Sequence, residues 1–275
     1  MKRVFIESGI GQLHAREHNA SAGTGVPLLM LHAAPGSALM LGGLQARFAQ
    51  RTLAIDLPGM GDSDRLPPSL ASPTVADFAT PIAAAAASAF ASEVDASDVY
   101  DVYGTLSGVR VALELANRPG SRVRRVVLDG IGIPKPEQLP ELLERYAPAF
   151  APDINGNHLT NTFLLCRDQY LFYPWYARDT EHRRPNGLPS AELLHIKVME
   201  SLKSAAAFRD LINAAFRYDV EAQLKALKQS ALISADGAPM RPDLPILDFP
   251  PAEPLTCPPD LLDKRAEKIA AFLAD

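Results

Sequence analysis

The chain has 275 residues, a length that fits one α/β domain carrying an insertion. Hydrophobic residues make up 47% and charged residues 21%, which excludes a disordered chain because enough apolar surface is available to bury a core. The formal net charge of −5 argues against nucleic acid or an anionic membrane as the main partner. A charged N-terminal segment and the lack of a long apolar stretch lead us to expect a cytoplasmic protein with no membrane partner.

Two cysteines and six histidines limit the expected cofactor and metal chemistry. Cys166 and Cys257 are too few for a disulfide framework, and no two histidines have a convincing partner at metal-ligand spacing. His14 and His18 are four residues apart, but they fall in a predicted hairpin, where that spacing does not build a helical metal site. We therefore expect no metal, no cofactor and a small-molecule ligand, and we leave a homo-oligomer open.

The first half of the chain alternates predicted strands with predicted helices. Runs that are apolar on both faces are typical of buried parallel strands, and here they end in glycine-rich turns. The alternation predicts a mostly parallel, doubly wound sheet with right-handed crossovers. Predicted strands cover 4–6, 13–16, an apolar run from Val26, 52–57, 99–103 and 123–129, and predicted helices cover 38–50, 75–90 and a segment after Gly108.

The most informative turn joins the predicted strand at 99–103 directly to a helix. Gly104 and Gly108 flank this turn four residues apart, the spacing of the Gly-x-nucleophile-x-Gly elbow, in which a strained turn lifts the central side chain above the sheet. The central residue is Leu106, which has no atom that a neighbouring base could activate. The elbow pattern is therefore present without a nucleophile.

A one-residue shift of the elbow would make Ser107 the nucleophile. Thr105 and Val109 would then occupy the two positions where glycine relieves crowding, and both are β-branched. The better interpretation of Ser107 is a hydroxyl that caps free N–H groups at the helix start.

Four motifs occur in an order that points to a known family. They are His32-Ala-Ala-Pro-Gly, Asp56-Leu-Pro-Gly-Met-Gly-Asp-Ser, the Gly104 to Gly108 elbow and Val127-Leu-Asp. In this order and spacing they resemble the α/β-hydrolase fold superfamily, and within it the cap-bearing lipase, esterase and dehalogenase-like members. The sequence departs from the family at Ala33, where a glycine is usual, and at Met60, where a histidine is common.

The resemblance implies a helical cap inserted into the hydrolase core. Between about Gly132 and Leu227 the strand–helix alternation stops and the pattern becomes helical. We expect a core over 1–132 and 228–275 and a cap over 133–227. The predicted cap helices cover 141–146, 158–171 and 191–216, and the core resumes with strands at 231–237 and 245–249 and a helix at 259–274.

One segment of the predicted cap, 166–179, combines tyrosines and the only tryptophan, Trp175, with charged residues. Two interpretations stay open. In the first, the segment is a pocket wall in which Arg167 or Asp168 faces a cavity above Leu106. In the second, the aromatic residues pack cap against core and the charged residues make surface contacts.

The family also implies a triad of an elbow nucleophile, an acid after a late strand and a histidine after the last strand. Asp236 lies where the acid is expected, with Asp129 as the alternative, although Asp236 serves equally well as a turn residue before Gly237. No histidine follows His195 in the chain. Two of the three triad members are therefore missing.

An oxyanion site is expected to survive this loss. The backbone N–H groups of Ala34 and Ser107 would converge on the pocket, while His32 orders its own loop. Two functions follow. The first is hydrolysis of a small, mostly apolar ester or carbonyl compound by a non-standard site. The alternative is a non-catalytic, small-molecule-binding pseudoenzyme that kept the pocket and lost the chemistry.

Overall fold

The structure is a computed structural model that describes residues 1–19, 25–91, 99–185, 187–234, 252–255 and 261–274. Within these residues the strands form one eight-stranded sheet in the order β1-β2-β4-β3-β5-β6-β7-β8. β1 and β2 are antiparallel to their neighbours, and the other strands are parallel. The strands are β1 (Lys2–Glu7), β2 (Gln12–His18), β3 (Leu28–Leu31), β4 (Thr52–Ile55), β5 (Tyr100–Thr105), β6 (Val123–Asp129), β7 (Ser230–Ser234) and β8 (Ala252–Pro254).

Helices connect the strands and cover both faces of the sheet. The helices are α1 (Gly42–Gln45), α2 (Val75–Phe90), α3 (Gly108–Asn117), α4 (Leu139–Arg145), α5 (Asn157–Leu171), α6 (Ala191–Lys203), α7 (Phe208–Arg217), α8 (Val220–Ala226) and α9 (Leu262–Ala274). Leu29 and Leu31 of β3 pack in the cluster that contains α2 and α3, whereas Leu28 and Met30 pack with α1 and α9. Successive side chains of a strand point to opposite faces of the sheet, so these contacts show that helices cover both faces. The predicted mostly parallel, doubly wound sheet is confirmed.

Two predicted helices are shorter than expected. The helix predicted over 38–50 is a 3₁₀ turn at Ala38–Leu41 followed by the single turn α1. Two adjacent glycines, Gly42 and Gly43, explain the short length because glycine loses the most backbone freedom in a helix. The helix predicted over 191–216 divides into α6 and α7 at Ser204, whose hydroxyl donates to the carbonyl of Gly36 at 2.8 Å.

Two predictions fall on residues that are not described. The strand predicted at 245–249 and Cys257 lie outside the described residues. On the side of β7 opposite to β6, the paired strand is β8, and the closing helix begins at Leu262 rather than at 259.

Five helices, α4 to α8, lie between β6 and β7 along the chain. Among the described residues, α5 and α7 pack in a third apolar cluster that includes Leu165, Phe208 and Ile212, whereas Val220 and Leu224 of α8 pack in the cluster that contains α2 and α3. The division into a cap over 133–227 and a core stays a prediction. In the part of the chain that the structure describes, no helix has both the length and the apolar character needed to cross a membrane.

Candidate functional site

The turn between β5 and α3 has the backbone of a nucleophile elbow. Leu106 lies in the left-handed region with φ of 49°, and its side chain is 43% exposed. A Cβ on Gly104 would lie 2.5 Å from the carbonyl oxygen of Gly108, and one on Gly108 would lie 2.6 Å from that of Leu31. Both distances are shorter than any tolerated contact, so only glycine fits these two positions. The elbow is therefore built, and it presents a leucine.

The elbow is fixed by its neighbours on both sides. The N–H of Leu106 donates to the carbonyl of Asp129 at 2.8 Å, and Arg110 Nη1 donates to the carbonyl of Leu106 at 2.9 Å. Arg110 Nη2 also donates to the carbonyl of Gly132. A buried arginine thus joins the elbow to the loop that follows β6.

Ser107 does not cap the helix as expected. Its hydroxyl makes no capping bond to α3. Instead it accepts the backbone N–H of Ala34 at 2.8 Å, which joins the elbow to the loop after β3. The Ala34 N–H predicted for an oxyanion site is thus bonded to the Ser107 oxygen, and the two groups lie side by side at the cavity wall.

His32 is a buried loop residue and does not line the cavity. Its Nε2 accepts the N–H of Leu57 at 3.0 Å, so its Nδ1 carries the proton that is donated to the carbonyl of Ala33 at 2.9 Å. Burial lowers the pKa of His32, with a smaller opposing effect from the charge of Asp56. Through these two bonds the neutral ring joins the loop after β3 to the loop after β4.

A cavity of about 480 Å³ lies over Leu106. Its described lining joins the elbow to the loop after β3, α1, the helices that precede β7, and α9. The apolar lining includes Met40, Leu41, Leu44, Leu106, Ile212, Phe216 and Leu262; the aromatic and charged lining includes Tyr103, Tyr146, Tyr170, Tyr173, Arg110, Asp129, Arg184, Lys197 and Arg265.

The alternative acid, Asp129, is held in a buried cluster at the end of β6. Tyr103 donates its hydroxyl to Asp129 Oδ2 at 2.6 Å, and Arg265 donates to the same carboxylate through Nε at 2.9 Å and through Nη2. Burial and the adjacent Asp129 carboxylate raise the pKa of Tyr103 well above its ordinary value, so its hydroxyl stays protonated. The carboxylate that could orient a catalytic base is paired with an arginine.

Arg167, Asp168 and Trp175 do not line this cavity. Asp168 is fully buried and forms ion pairs with Arg167 at 2.7 Å and with Arg178 at 2.6 Å. The indole N–H of Trp175 donates to the carbonyl of Tyr146 at 2.9 Å. These contacts correct the pocket-wall interpretation for the three residues, because each one packs or pairs within the helical segment.

None of the six histidines lines the described cavity. His14 is buried beside Asp56, His158 and His182 pair with nearby aspartates, and His195 is exposed on α6. No described histidine therefore acts as a displaced base at the elbow. Asp236, the predicted acid, lies outside the described residues.

One group of side chains has ligand atoms close enough for a metal ion. Single ligand atoms of His14, Asp56 and Asp62 lie within 4.8 Å of one another. Burial raises the pKa of Asp56, but the hydrogen bond from His14 and further favourable contacts outweigh it, so the pKa lies below its ordinary value. Arg3 pairs with Asp62 at 2.7 Å, and the N–H of Ala38 donates to Asp56 at 2.7 Å. These partners explain the cluster as the support of the glycine-rich loop after β4.

Sequence reasoning missed the cationic lining of the cavity. Burial lowers the pKa of Arg110 to about 10 and that of Lys197 to about 8. Arg110 had a local signal, because an arginine four residues after the elbow centre interrupts the apolar face of α3. Lys197 and Arg265 had none, since they reach the cavity from distant helices.

The sequence of residues 28–259 matches the model of the alpha/beta hydrolase family. Because this match covers most of the 275 residues, the chain belongs to the alpha/beta hydrolase family. No curated protein sequence matches the chain significantly.

Solved structures share the fold at low sequence identity. An enol-lactonase from Burkholderia xenovorans is 14% identical, with 99% of this chain and 100% of that chain covered and a TM-score of 0.67. A thermophilic esterase from Thermogutta terrifontis is 17% identical, with 100% and 98% covered and a TM-score of 0.64. A hydrolase from Pseudomonas aeruginosa is 16% identical, with 100% and 99% covered and a TM-score of 0.66. These similarities concern the fold.

Proposed function

We propose that this hydrolase-like protein binds a small molecule in the cavity over Leu106 without hydrolysing it. The observation that carries the proposal is the elbow itself, which keeps its left-handed backbone at φ of 49° but presents a leucine. An elbow nucleophile needs an oxygen, sulfur or nitrogen atom, and leucine has none.

The groups around the elbow support the same conclusion. The described cavity lining contains no histidine, and Arg265 pairs with the one carboxylate of that lining, Asp129. The Ala34 N–H is bonded to Ser107. Triad residues act as a unit, so loss of two of them costs several orders of magnitude in rate.

The cavity itself suits a small ligand. Its volume of about 480 Å³ falls within the usual range for ligand pockets, and aliphatic and aromatic side chains form much of its lining. Leucine at the elbow adds apolar surface where a hydrolase presents a polar nucleophile. An apolar ligand gains about 25 cal/mol for each Å² of apolar surface that it removes from water.

A second candidate function is hydrolysis of a small ester or carbonyl compound by a non-standard site. One observation favours it: Lys197 lines the cavity and burial lowers its pKa to about 8, which leaves part of the amine neutral near physiological pH. A neutral amine in a pocket can act as a general base.

Turnover measurements separate the two functions. The wild-type protein, Asp236→Asn and Lys197→Met are each incubated with methyl and phenyl esters of acetate, butyrate and octanoate, and product is followed by NMR. We expect all three proteins to match the rate in buffer. Product in clear molar excess over protein, with a sharp decrease in Asp236→Asn or Lys197→Met, would establish the hydrolase and overturn the proposal. A serine esterase run in parallel confirms that the esters are reactive.

A further inference from the structure

The described lining of the cavity has an excess of positive charge. Four cationic side chains and one carboxylate line it, although the whole chain has a net charge of −5. The carboxylate is Asp129, and it is already bonded to Arg265 and to the hydroxyl of Tyr103. Of these four cations, Arg110 and Lys197 are the two for which the described residues give no carboxylate partner.

Arg110 is one of these cations, and it is placed at the elbow. Its side chain is buried, two of its nitrogens donate to the backbone carbonyls of Leu106 and Gly132, and its buried Nε has no hydrogen-bond partner among the described residues. The described groups that act on its charge are tyrosines, among them Tyr146 and Tyr173, and no described carboxylate does so. A buried guanidinium that lacks a counter-ion is costly, and a bound anion would offset that cost.

Lys197 is the second such cation, and it reaches the cavity from α6. Its Nζ lies 4.6 Å from the centre of the Tyr170 ring, and no described carboxylate lies within ion-pair distance of it. The acid one turn along α6, Glu200, pairs with Lys203 instead, at 3.3 Å. Arg184 lies nearby, with its guanidinium 5.5 Å from the centre of the Tyr173 ring. Positive groups and aromatic faces thus occur together in the lining.

We propose that the ligand of this cavity is a small carboxylate with an apolar or aromatic body. Its carboxylate is held by Lys197 and Arg110, and its body packs against Leu106 and the tyrosines. Charge-assisted hydrogen bonds to ionised nitrogens favour the anion over a neutral ligand. The apolar lining adds binding free energy because it removes the apolar body of the ligand from water. This inference rests on the proposed function, because a ligand that is held must be recognised.

The test compares two ligands of the same shape, one charged and one neutral. Binding of 4-phenylbutyrate and of 4-phenylbutanamide to the full chain is measured by isothermal titration calorimetry at pH 7. We expect the carboxylate to bind at least about tenfold more tightly than the amide, the ratio that one charge-assisted contact provides. Equal affinities, or no binding of the carboxylate, would overturn the inference.

Variants then locate the carboxylate. Lys197→Met should reduce 4-phenylbutyrate affinity by about tenfold and leave the amide unchanged, whereas Lys197→Arg should restore most of the carboxylate affinity. Lys225→Met is the matched control, because it removes one exposed positive charge on α8, outside the cavity lining, and should leave both affinities unchanged. Equal losses in Lys197→Met and Lys225→Met would contradict the assignment. Circular dichroism of each variant confirms folding, and the wild-type ligand pair remains decisive if a variant fails to fold.

The two proposals fail in different ways. Turnover of esters by a protein that prefers 4-phenylbutyrate would overturn the proposed function and leave the carboxylate specificity intact. Equal binding of the acid and the amide without turnover would overturn the carboxylate specificity and leave the binding function intact.

Discussion

Leu106 is the residue on which the function depends. Its backbone is held in the left-handed conformation by Gly104, Gly108 and the bond from its N–H to Asp129, so the turn is ready for a nucleophile. Two groups are lacking: a nucleophilic atom at the elbow side chain and a histidine in the described cavity lining. A single substitution at the elbow therefore cannot restore the reaction.

Leu106→Ser should not produce an efficient esterase. The new hydroxyl would lie at the elbow, but no described histidine lines the cavity to take its proton. We expect the variant to hydrolyse phenyl butyrate no faster than about tenfold above the wild-type protein, because both proteins share the same positioning and N–H groups and the new hydroxyl has no histidine to activate it. The measurement is a multiple-turnover rate. A serine-esterase rate in this single variant would show that a residue other than histidine acts as the base near the elbow, and it would contradict the expectation.

The buried pair of Asp129 and Arg265 should contribute strongly to stability. Asp129→Asn removes the buried carboxylate that pairs with Arg265, and removal of one partner of such a pair costs about 3–5 kcal/mol. Urea denaturation gives this change in the free energy of unfolding. Asp263→Asn is the matched control, because its carboxylate is exposed and pairs with Arg47 at 2.5 Å. It should change stability by less than about 1 kcal/mol, and equal effects of the two substitutions would refute a special role for the buried pair.

At the scale of single residues, the sequence shows which catalytic residue types are absent more readily than it shows which side chains meet in the folded protein. The leucine at the elbow and the lack of any histidine after His195 are visible without a structure. The pairing of Asp129 with Arg265 is not, because these residues are 136 positions apart and only tertiary packing joins them. Prediction from the sequence alone therefore identifies the elbow leucine and the lack of a late histidine, but it does not identify the cationic lining of the cavity.

The elements around the elbow follow local rules closely. The predicted ranges of α2 and β6 match the structure, because an apolar repeat of helical period and a β-branched run are strong local signals. The predicted helix over 191–216 fails at Ser204. The hydroxyl of that residue is bonded to Gly36, a contact 168 positions away that no local pattern contains.

The close approach of α3 to β3 predicts a sharp response to substitution at Gly108. Gly108→Ala would place a methyl group 2.6 Å from the carbonyl of Leu31 and 2.7 Å from that of His32. Backbone atoms cannot move aside cheaply, so we expect a loss of stability of about 1–3 kcal/mol or more. Gly187→Ala is the control, because a Cβ at Gly187 would have no neighbouring atom within 4 Å. This substitution should change thermal stability little. Unchanged stability of the Gly108→Ala variant would contradict the tight packing of the elbow.

The distribution of charge is a property of the whole molecule. The chain is acidic overall, yet the described lining of its cavity is cationic, so the positive charges are concentrated where a ligand would be. The net charge argues against nucleic acid or an anionic membrane as the main partner, but it does not reveal this local reversal of sign. The reversal depends on folding, which brings Arg110, Lys197 and Arg265 together from three helices.

Carboxylate binding should weaken as the pH rises through about 8. Burial lowers the pKa of Lys197 from 10.5 to about 8, so its ammonium loses its proton in this range while the ligand carboxylate stays ionised. Cys166 and Tyr170 of the packed helix α5 face Lys197, and burial raises the pKa of both, whereas the charge of the neighbouring Arg184 adds to the lowering of the Lys197 pKa. Calorimetric titrations of 4-phenylbutyrate between pH 6.5 and 9.5 should show falling affinity, and Lys197→Arg should remove the dependence. A flat wild-type profile would contradict a role for this amine.

The most direct measurement uses one compound that has both an anion and an ester, the monomethyl ester of suberic acid. The compound is injected into the wild-type protein in a calorimeter at pH 7, where binding gives heat pulses that saturate and return to the baseline, whereas turnover gives sustained heat. The account predicts saturable pulses, recovery of intact ester and loss of affinity in Lys197→Met. Sustained heat with release of methanol in excess of the protein would contradict it.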